Sequence, residues 1–168
     1  MNNFDRTTYL DYASAMRHPG NFSNAITTFF AQDADINIVH PFNIASGAQA
    51  YFRTVIEPLQ TSFESLYRRD DIAMTGDFEG TTWVSSTGYY VGQFARDWIG
   101  IRATHQLCYL RFGEFHRMED GKAIESYIFF DIPELMIACG QWPIDIGPGL
   151  ARGYTGMMKL GDPFGMTI

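Results

Sequence analysis

Phe115-His116-Arg117-Met118-Glu119-Asp120-Gly121-Lys122-Ala123-Ile124-Glu125 is the stretch on which the fold turns. Asp-Gly is the preferred pair for a two-residue hairpin turn, because both central residues take positive φ. Alternating residues run away from it on either side, so strands are predicted over His105 to Glu119 and Lys122 to Asp131. A regular register then sets Glu119 opposite Lys122 and Met118 opposite Ala123. Continuing outward, His116 faces Glu125, Glu114 faces Tyr127, Phe112 faces Phe129 and Leu110 faces Asp131. Side chains alternate across a strand, so these residues are expected to share one face of the sheet, mixing carboxylates, a His and a Tyr with apolar rings. A slip of one residue would move every one of them to the other face.

Upstream, Leu66 to Phe78 and Thr81 to Phe94 read as two more long strands, with Glu79-Gly80 as a tight turn. Before them come helical patterns. Tyr9, Tyr12, Ala13 and Met16 have helical spacing within Asp5 to Arg17, and His18-Pro19-Gly20 ends that segment. Phe22, Ala25, Ile26, Phe29 and Phe30 make a second stripe, Ile36 to His40 a short strand, and Ala48 to about Glu57 a third helix. Pro133 can open a short helix through Ala138 that Gly140 ends. The expected fold class is α+β: a cone-like, curved antiparallel sheet with the N-terminal helices packed on its concave face. Residues 1–140 form this domain, and 141–168, rich in Gly and Pro, read as an irregular arm, either a lid or a dimer strap.

Composition narrows the function. A net charge of -7, with no basic run longer than Arg68-Arg69, would repel a phosphate backbone, so no nucleic-acid partner is expected. Hydrophobic residues make up 46% and no apolar run reaches spanning length, which argues for a globular chain without a membrane partner. Met1 to Leu10 is polar and unlike a secretory leader, so a cytoplasmic location is expected. Cys108 and Cys139 sit in apolar surroundings with neither framework nor metal spacing, and read as buried free thiols. Neither a Walker loop, a dinucleotide fingerprint nor a Ser-centred elbow occurs, and the widely spaced histidines match no metal pattern, so no cofactor and no metal are expected.

Three stretches resemble the SnoaL-like polyketide cyclase family of the nuclear-transport-factor-2-like superfamily. They are Gly88-Tyr89-Tyr90-Val91-Gly92-Gln93-Phe94, the hairpin quoted above, and Asp131-Ile132-Pro133-Glu134-Leu135-Met136. The resemblance spans roughly Asp5 to Gly140. It implies a cone-shaped fold, a homodimer, and aldol-type cyclisation of a small apolar carbonyl compound without a cofactor. Two departures stand out: Ser126 and Tyr127 follow Glu125 where the family often has His and Trp, and Tyr90 stands where it often has His.

Asp131 matches the family's acidic residue at the end of the last strand. Flanked by Phe130 and Ile132, its carboxylate is expected to be desolvated and suited to general acid/base work. The alternative is that it caps the helix beginning at Pro133. Glu114 either shares proton duties or is a satisfied buried group, and His40, ending the first strand, is a further catalytic candidate. Tyr90, Tyr127, Phe112, Phe129, Leu110, Trp83 and Trp98 are the expected substrate-binding residues, although Tyr90 and Trp83 fall on opposite faces of a regular strand. His116 and Glu125 read as a surface ion pair near the turn. A non-catalytic protein binding a small hydrophobic ligand, or an isomerase or dehydratase on the same scaffold, fits the same residues.

Overall fold

The structure is a computed structural model and describes residues 3–143, with side chains from Arg6 onward. The arm read over 141–168 therefore lies outside the described residues from 144.

Local chemistry decides the helices. α1 (Asn3–Ala15) ends before the single 3-10 turn Pro19–Asn21, and α2 (Phe22–Phe29) follows, burying Phe22, Ala25, Ile26 and Phe29. Phe30, read as the end of that stripe, instead opens β1 (Phe30–Ile38). Its backbone is already extended (φ -81°, ψ 148°), yet its ring stays buried. A short β2 (Asn43–Ser46), not foreseen, precedes an unbroken helical run over 48–62. The remaining strands are β3 (Phe63–Phe78), β4 (Thr81–Phe94), β5 (Leu107–Glu119) and β6 (Lys122–Phe130), followed by a terminal helix, Ile132–Ala138. Both expected turns form, with positive φ at Glu79 and Gly80 and at Asp120 and Gly121.

The fold is α+β, with a helical N-terminal part and a curved, unclosed six-stranded sheet ordered β2-β1-β6-β5-β4-β3. One pairing departs from the antiparallel expectation, since β1 runs parallel to β6. β5 occupies one edge of β6 through the hairpin, and the long connection from β1 lets the free edge take a parallel partner. The helices and the inner sheet face share a core that includes Tyr9, Met16, Ile26, Tyr51, Phe112 and Phe130. Each such side chain contributes about 1.5–3 kcal/mol on burial.

The hairpin register corrects the regular pairing. Glu119 and Lys122, then Met118 and Ala123, pair as expected, but Arg117 then opposes Glu125, so Ile124 is an extra residue forming a β-bulge. From there β6 is shifted by one. His116 faces Ser126, Glu114 faces Ile128 and Phe112 faces Phe130, while Tyr127 and Phe129 oppose Phe115 and Gly113. On β5 the inner face is as expected (Leu110, Phe112, Glu114, His116); on β6 it is Ser126, Ile128 and Phe130 that point inward.

Irregularities also shape the other edge. β3 shifts register against β4 between Glu64 and Tyr67 and again between Asp70 and Ile72. Gly88 and Gly92 stand opposite these places, where the strands approach so closely that a Cβ at Gly88 would lie 2.0 Å from the Arg69 carbonyl oxygen, and one at Gly92 2.9 Å from that of Glu64. Leu66, Arg68 and Asp70 turn toward the concave side between the two shifts. Among the described residues, no helix is long and apolar enough to cross a membrane.

Candidate functional site

The concave face carries charge where a core is usually apolar. Arg68, its side chain fully buried, reaches Asp70 through Nε (3.1 Å to Oδ2) and Nη2 (2.7 Å to Oδ1). On its other side Nη1 lies 3.2 Å from Glu114 Oε2, and Nη2 pairs with Glu114 Oε1. Helix α1 closes the cluster. The Tyr9 hydroxyl stands 3.0 Å from both Asp70 Oδ1 and Glu114 Oε1, accepts from Arg68 at 3.0 Å, and has one proton for either carboxylate. Tyr12 Oη accepts from Arg68 at 3.3 Å, and Ser86 Oγ donates to Asp70 at 2.9 Å. Ring faces complete the shell, with the guanidinium carbon 4.1 Å from the Phe112 centroid, 5.2 Å from that of Tyr12 and 5.9 Å from that of Tyr90.

His116 joins the cluster from the next inward position of β5. Its Nδ1 lies 2.8 Å from Ser126 Oγ and its Nε2 3.4 Å from Glu114 Oε1. Burial alone would raise the Glu114 carboxyl, but Arg68 and then His116 outweigh it and hold it down at about 2. Phenols respond in the opposite sense. Burial pushes Tyr90 up to about 12, with Arg68 pulling back, and burial followed by Glu114 raises Tyr9 and Tyr12. Tyr51 is raised by burial and by its neighbour Tyr90. These tyrosines are therefore neutral donors; the Tyr51 hydroxyl is buried without a hydrogen-bond partner, and the Tyr90 hydroxyl, which donates to no acceptor, has Arg68 beside it.

From Tyr90 a chain of rings leads outward. Tyr90 packs on Phe130 (6.2 Å between centroids), Phe130 on Phe42 (6.4 Å) and on Trp98 (6.5 Å), and Phe42 on Trp98 (5.9 Å). Trp98 is buried, its indole N–H lacks a partner, and its backbone bridges to Ile101. Ile101 lines a mouth pocket of about 290 Å³ together with His40, Pro41, Ile99, Ile132 and Met136. That volume lies at the small end of ligand pockets.

The expected site residues thus divide. Glu114, Tyr90, Phe112 and Leu110 lie on the concave face, and His40 is exposed on the rim of the mouth pocket. Asp131 is half-buried at the mouth end and caps the terminal helix: its Oδ1 accepts from Glu134 N at 2.9 Å, using one of the two carboxylate oxygens. Tyr127, Phe129 and Trp83 are corrected to the outer face. There they line a separate groove of about 580 Å³ with Met74, Phe78 and Phe115. The Ile124 bulge put Tyr127 and Phe129 there; Trp83 follows from the plain alternation of β4, with Tyr90 inward. The His116–Glu125 pair is also corrected. His116 is buried against Ser126, and Glu125 instead pairs with Arg117 at 2.6 Å and accepts from Tyr127 at 2.8 Å.

Arg68, Asp70, Tyr9, Ser86 and Tyr51 were not singled out from the sequence. The usable signal was parity: Arg68 lies two residues beyond the buried Leu66, and Tyr9 and Tyr12 lie on the apolar stripe of α1. A parity reading that accepts an inward Arg finds half of the cluster.

No family profile and no curated protein matches the chain. Solved structures do. AclR, a proposed hydroxylase from Streptomyces galilaeus, superposes with a TM-score of 0.67 at 18% identity, over 83% of this chain and 97% of that one. IdmH, a proposed polyketide cyclase from Streptomyces antibioticus, gives 0.64 at 17% identity, over 80% and 96%. An NTF2-like protein from Burkholderia pseudomallei gives 0.62 at 15% identity, over 82% and 97%. The chain has the nuclear-transport-factor-2-like fold. At these identities the likeness is one of fold, and chemistry has to be argued from the residues of this NTF2-like cone itself.

Proposed function

We propose that this protein is a cofactor-independent lyase or cyclase acting by general acid/base catalysis on a small apolar, polyketide-like carbonyl compound. The observation that carries the reading is the pair of buried Tyr51 and Tyr90 hydroxyls, neither of which donates to an acceptor, beside the Arg68–Glu114 ion pair. A buried donor without an acceptor costs about 1–3 kcal/mol, which a carbonyl or enolate oxygen would recover. Developing negative charge there would be stabilised by the two phenols and, at Tyr90, by Arg68, whose pull there exceeds the opposing push of Glu114. Phe130, Phe42 and Trp98 would hold the apolar carbons, and the mouth pocket would admit them. Proton removal is assigned to Asp131, with His40 as the alternative base on the rim. The solved cyclase-named neighbours favour the same class.

A second reading, a ligand-binding protein without turnover, is favoured by one observation: the Asp131 carboxylate is engaged in capping. Deuterium exchange at the activated carbon of a small apolar 1,3-dicarbonyl compound separates the two. The lyase reading expects accelerated exchange, slowed about 10²-fold by Tyr90→Phe, as for loss of one oxyanion donor. Binding with no acceleration would leave the binding-protein reading. The outer groove is, in the same proposal, the surface through which the chain forms a homodimer, because its rings are exposed and contiguous.

A further inference from the structure

Gly140 and Gln141 end the terminal helix in a specific way. Gly140 takes positive φ (66°), its N–H donates to Ile137 O at 3.0 Å, and the Gln141 N–H reaches back to Met136 O at 2.8 Å. This double closure is the Schellman motif, and it fixes the Gln141 backbone to the helix. The Gln141 side chain is fixed elsewhere. Its Oε1 accepts from Arg102 N at 2.9 Å and its Nε2 donates to Arg102 O at 2.9 Å, so the amide pairs with the Arg102 backbone as a neighbouring strand would. Arg102 belongs to the connection between β4 and β5, which is itself tied at its root and closed at its tip. Ala95 N and Arg96 N both donate to Ser62 O, at 2.9 and 3.0 Å. Beyond them, Trp98 and Ile101 exchange two backbone hydrogen bonds (3.0 and 2.8 Å) around Ile99 and Gly100, both at positive φ, and Asp97 Oδ1 accepts from Ala103 N at 2.8 Å. Ile99 is β-branched and has φ 46°, a conformation such residues avoid and keep only where the surroundings hold it.

Gln141 thus joins two preformed pieces that meet at the mouth pocket: the tip, with Ile99, Gly100 and Ile101, and the helix, with Ile132 and Met136. Gln141 itself lines that pocket. We propose that Gln141 is a positioning and specificity-determining residue: it holds the tip at a fixed distance from the terminal helix and so keeps the mouth pocket at about 290 Å³, which admits small carbonyl compounds and excludes bulkier ones. The substrate half of this statement rests on the proposed lyase or cyclase; the tie between tip and helix does not. Both amide bonds lie at the surface, where water competes for the same groups, so the tie orders the tip and its removal should leave the domain folded. The terminal helix is capped by Asp131, so the same tie bears on where the proposed base sits.

The test uses the full chain and compares Gln141→Ala with Gln141→Glu and Arg102→Ala. Alanine removes both bonds, glutamate keeps the acceptor for Arg102 N but loses the donor to Arg102 O, and Arg102→Ala keeps the backbone groups that hold the amide. Amide exchange followed by NMR should show protection of the N–H at position 102 falling at least about fivefold in Gln141→Ala, the scale of one net hydrogen bond, and staying within about twofold of the parent in Arg102→Ala. Gln141→Glu should fall between them. Calorimetric binding of acetylacetone and of the bulkier benzoylacetone reads the pocket without needing turnover. The ratio of the two affinities should move at least about tenfold toward benzoylacetone in Gln141→Ala, the lower end of discrimination by pocket size, and stay unchanged in Arg102→Ala. A purely structural Gln141 would lower the unfolding midpoint and leave that ratio where it is. Unchanged protection in Gln141→Ala would overturn the tie, and lost protection with an unchanged affinity ratio would overturn the specificity role. If neither compound binds any of these proteins, the lyase reading fails and takes the specificity role with it, while protection at position 102 still decides the tie.

Discussion

On the inner face of the sheet Arg68, Glu114 and His116 are buried, while on the outer face Met74, Phe78 and Phe129 are at least half exposed, at 62%, 63% and 50%. One sheet thus shows water its rings and hides its charges. Withdrawing an ion from water costs several kcal/mol even after relaxation, and a buried ion pair often does no better than an apolar replacement. The inner network is therefore poor evidence of a stability role, and the proposed function gives it another. The outer rings carry the reverse message: their contiguous exposed apolar surface is where the proposed homodimer would form.

The largest effect should come from breaking the inner side by half. Arg68→Met leaves Asp70 and Glu114 facing each other without their cation, and is expected to cost about 3–5 kcal/mol in urea unfolding. Arg68→Met combined with Glu114→Gln should recover much of that loss, because the charge left unpaired is removed too. If the single variant unfolds within about 1 kcal/mol of the parent, the network is not a coupled unit.

Acid should act on the same pair. Glu114 is held at about 2 against an ordinary 4.5, so its folded-state value is depressed. Its contribution is then complete above the unfolded value and lost as pH falls from about 4.5 toward about 2, on the order of 3 kcal/mol in all. Glu134 has the opposite sign. Burial, and next Asp131, raise it against the pull of Arg111, so stability is full below its unfolded value and lost as pH rises through the folded one. Urea midpoints from pH 7 down to 2.5 should show the acid loss in the parent and not in Glu114→Gln. Glu134→Gln should gain stability at neutral pH.

The outer face should respond in association rather than folding. Phe129→Asp is expected to change unfolding by no more than about 0.5 kcal/mol, because the ring is already half in water. Sedimentation equilibrium should show dimer affinity falling at least about thirtyfold, the scale of a hot-spot residue. A parent chain that is monomeric at about 100 μM, an affinity weaker than about -5.5 kcal/mol, would remove the homodimer from this face.

How much of these two faces the sequence displays is set by range. The turns at Glu79-Gly80 and Asp120-Gly121, the α2 stripe and the parity of β5 depend on neighbours a few residues away, and all were readable. The Ile124 bulge was not, because the Asp-Gly turn sets register only as far as the first irregularity, and nothing local tells an extra residue from a paired one. That one residue exchanged Tyr127 and Phe129 for Ser126 and Ile128 on the inner face. Arg68 was hidden for another reason. An Arg in a strand is ordinarily exposed, and its burial depends on partners from α1, β3 and β5 that meet only in the folded sheet.

The smallest expected effect concerns the residue on which sequence and structure lean differently. Asp131 is the proposed base and also the cap of the terminal helix, and the two roles need different atoms of one side chain. Asparagine keeps an acceptor for Glu134 N but has no charge and no basic oxygen; alanine keeps neither. Asp131→Asn should therefore unfold within a few tenths of a kcal/mol of the parent, and Asp131→Ala should lose about 1 kcal/mol. Read beside deuterium exchange, the pair separates the roles. A stable Asp131→Asn protein that no longer exchanges the dicarbonyl proton would assign the base. Exchange surviving in both variants would leave Asp131 to the helix and shift proton removal to His40, on the rim of the mouth pocket.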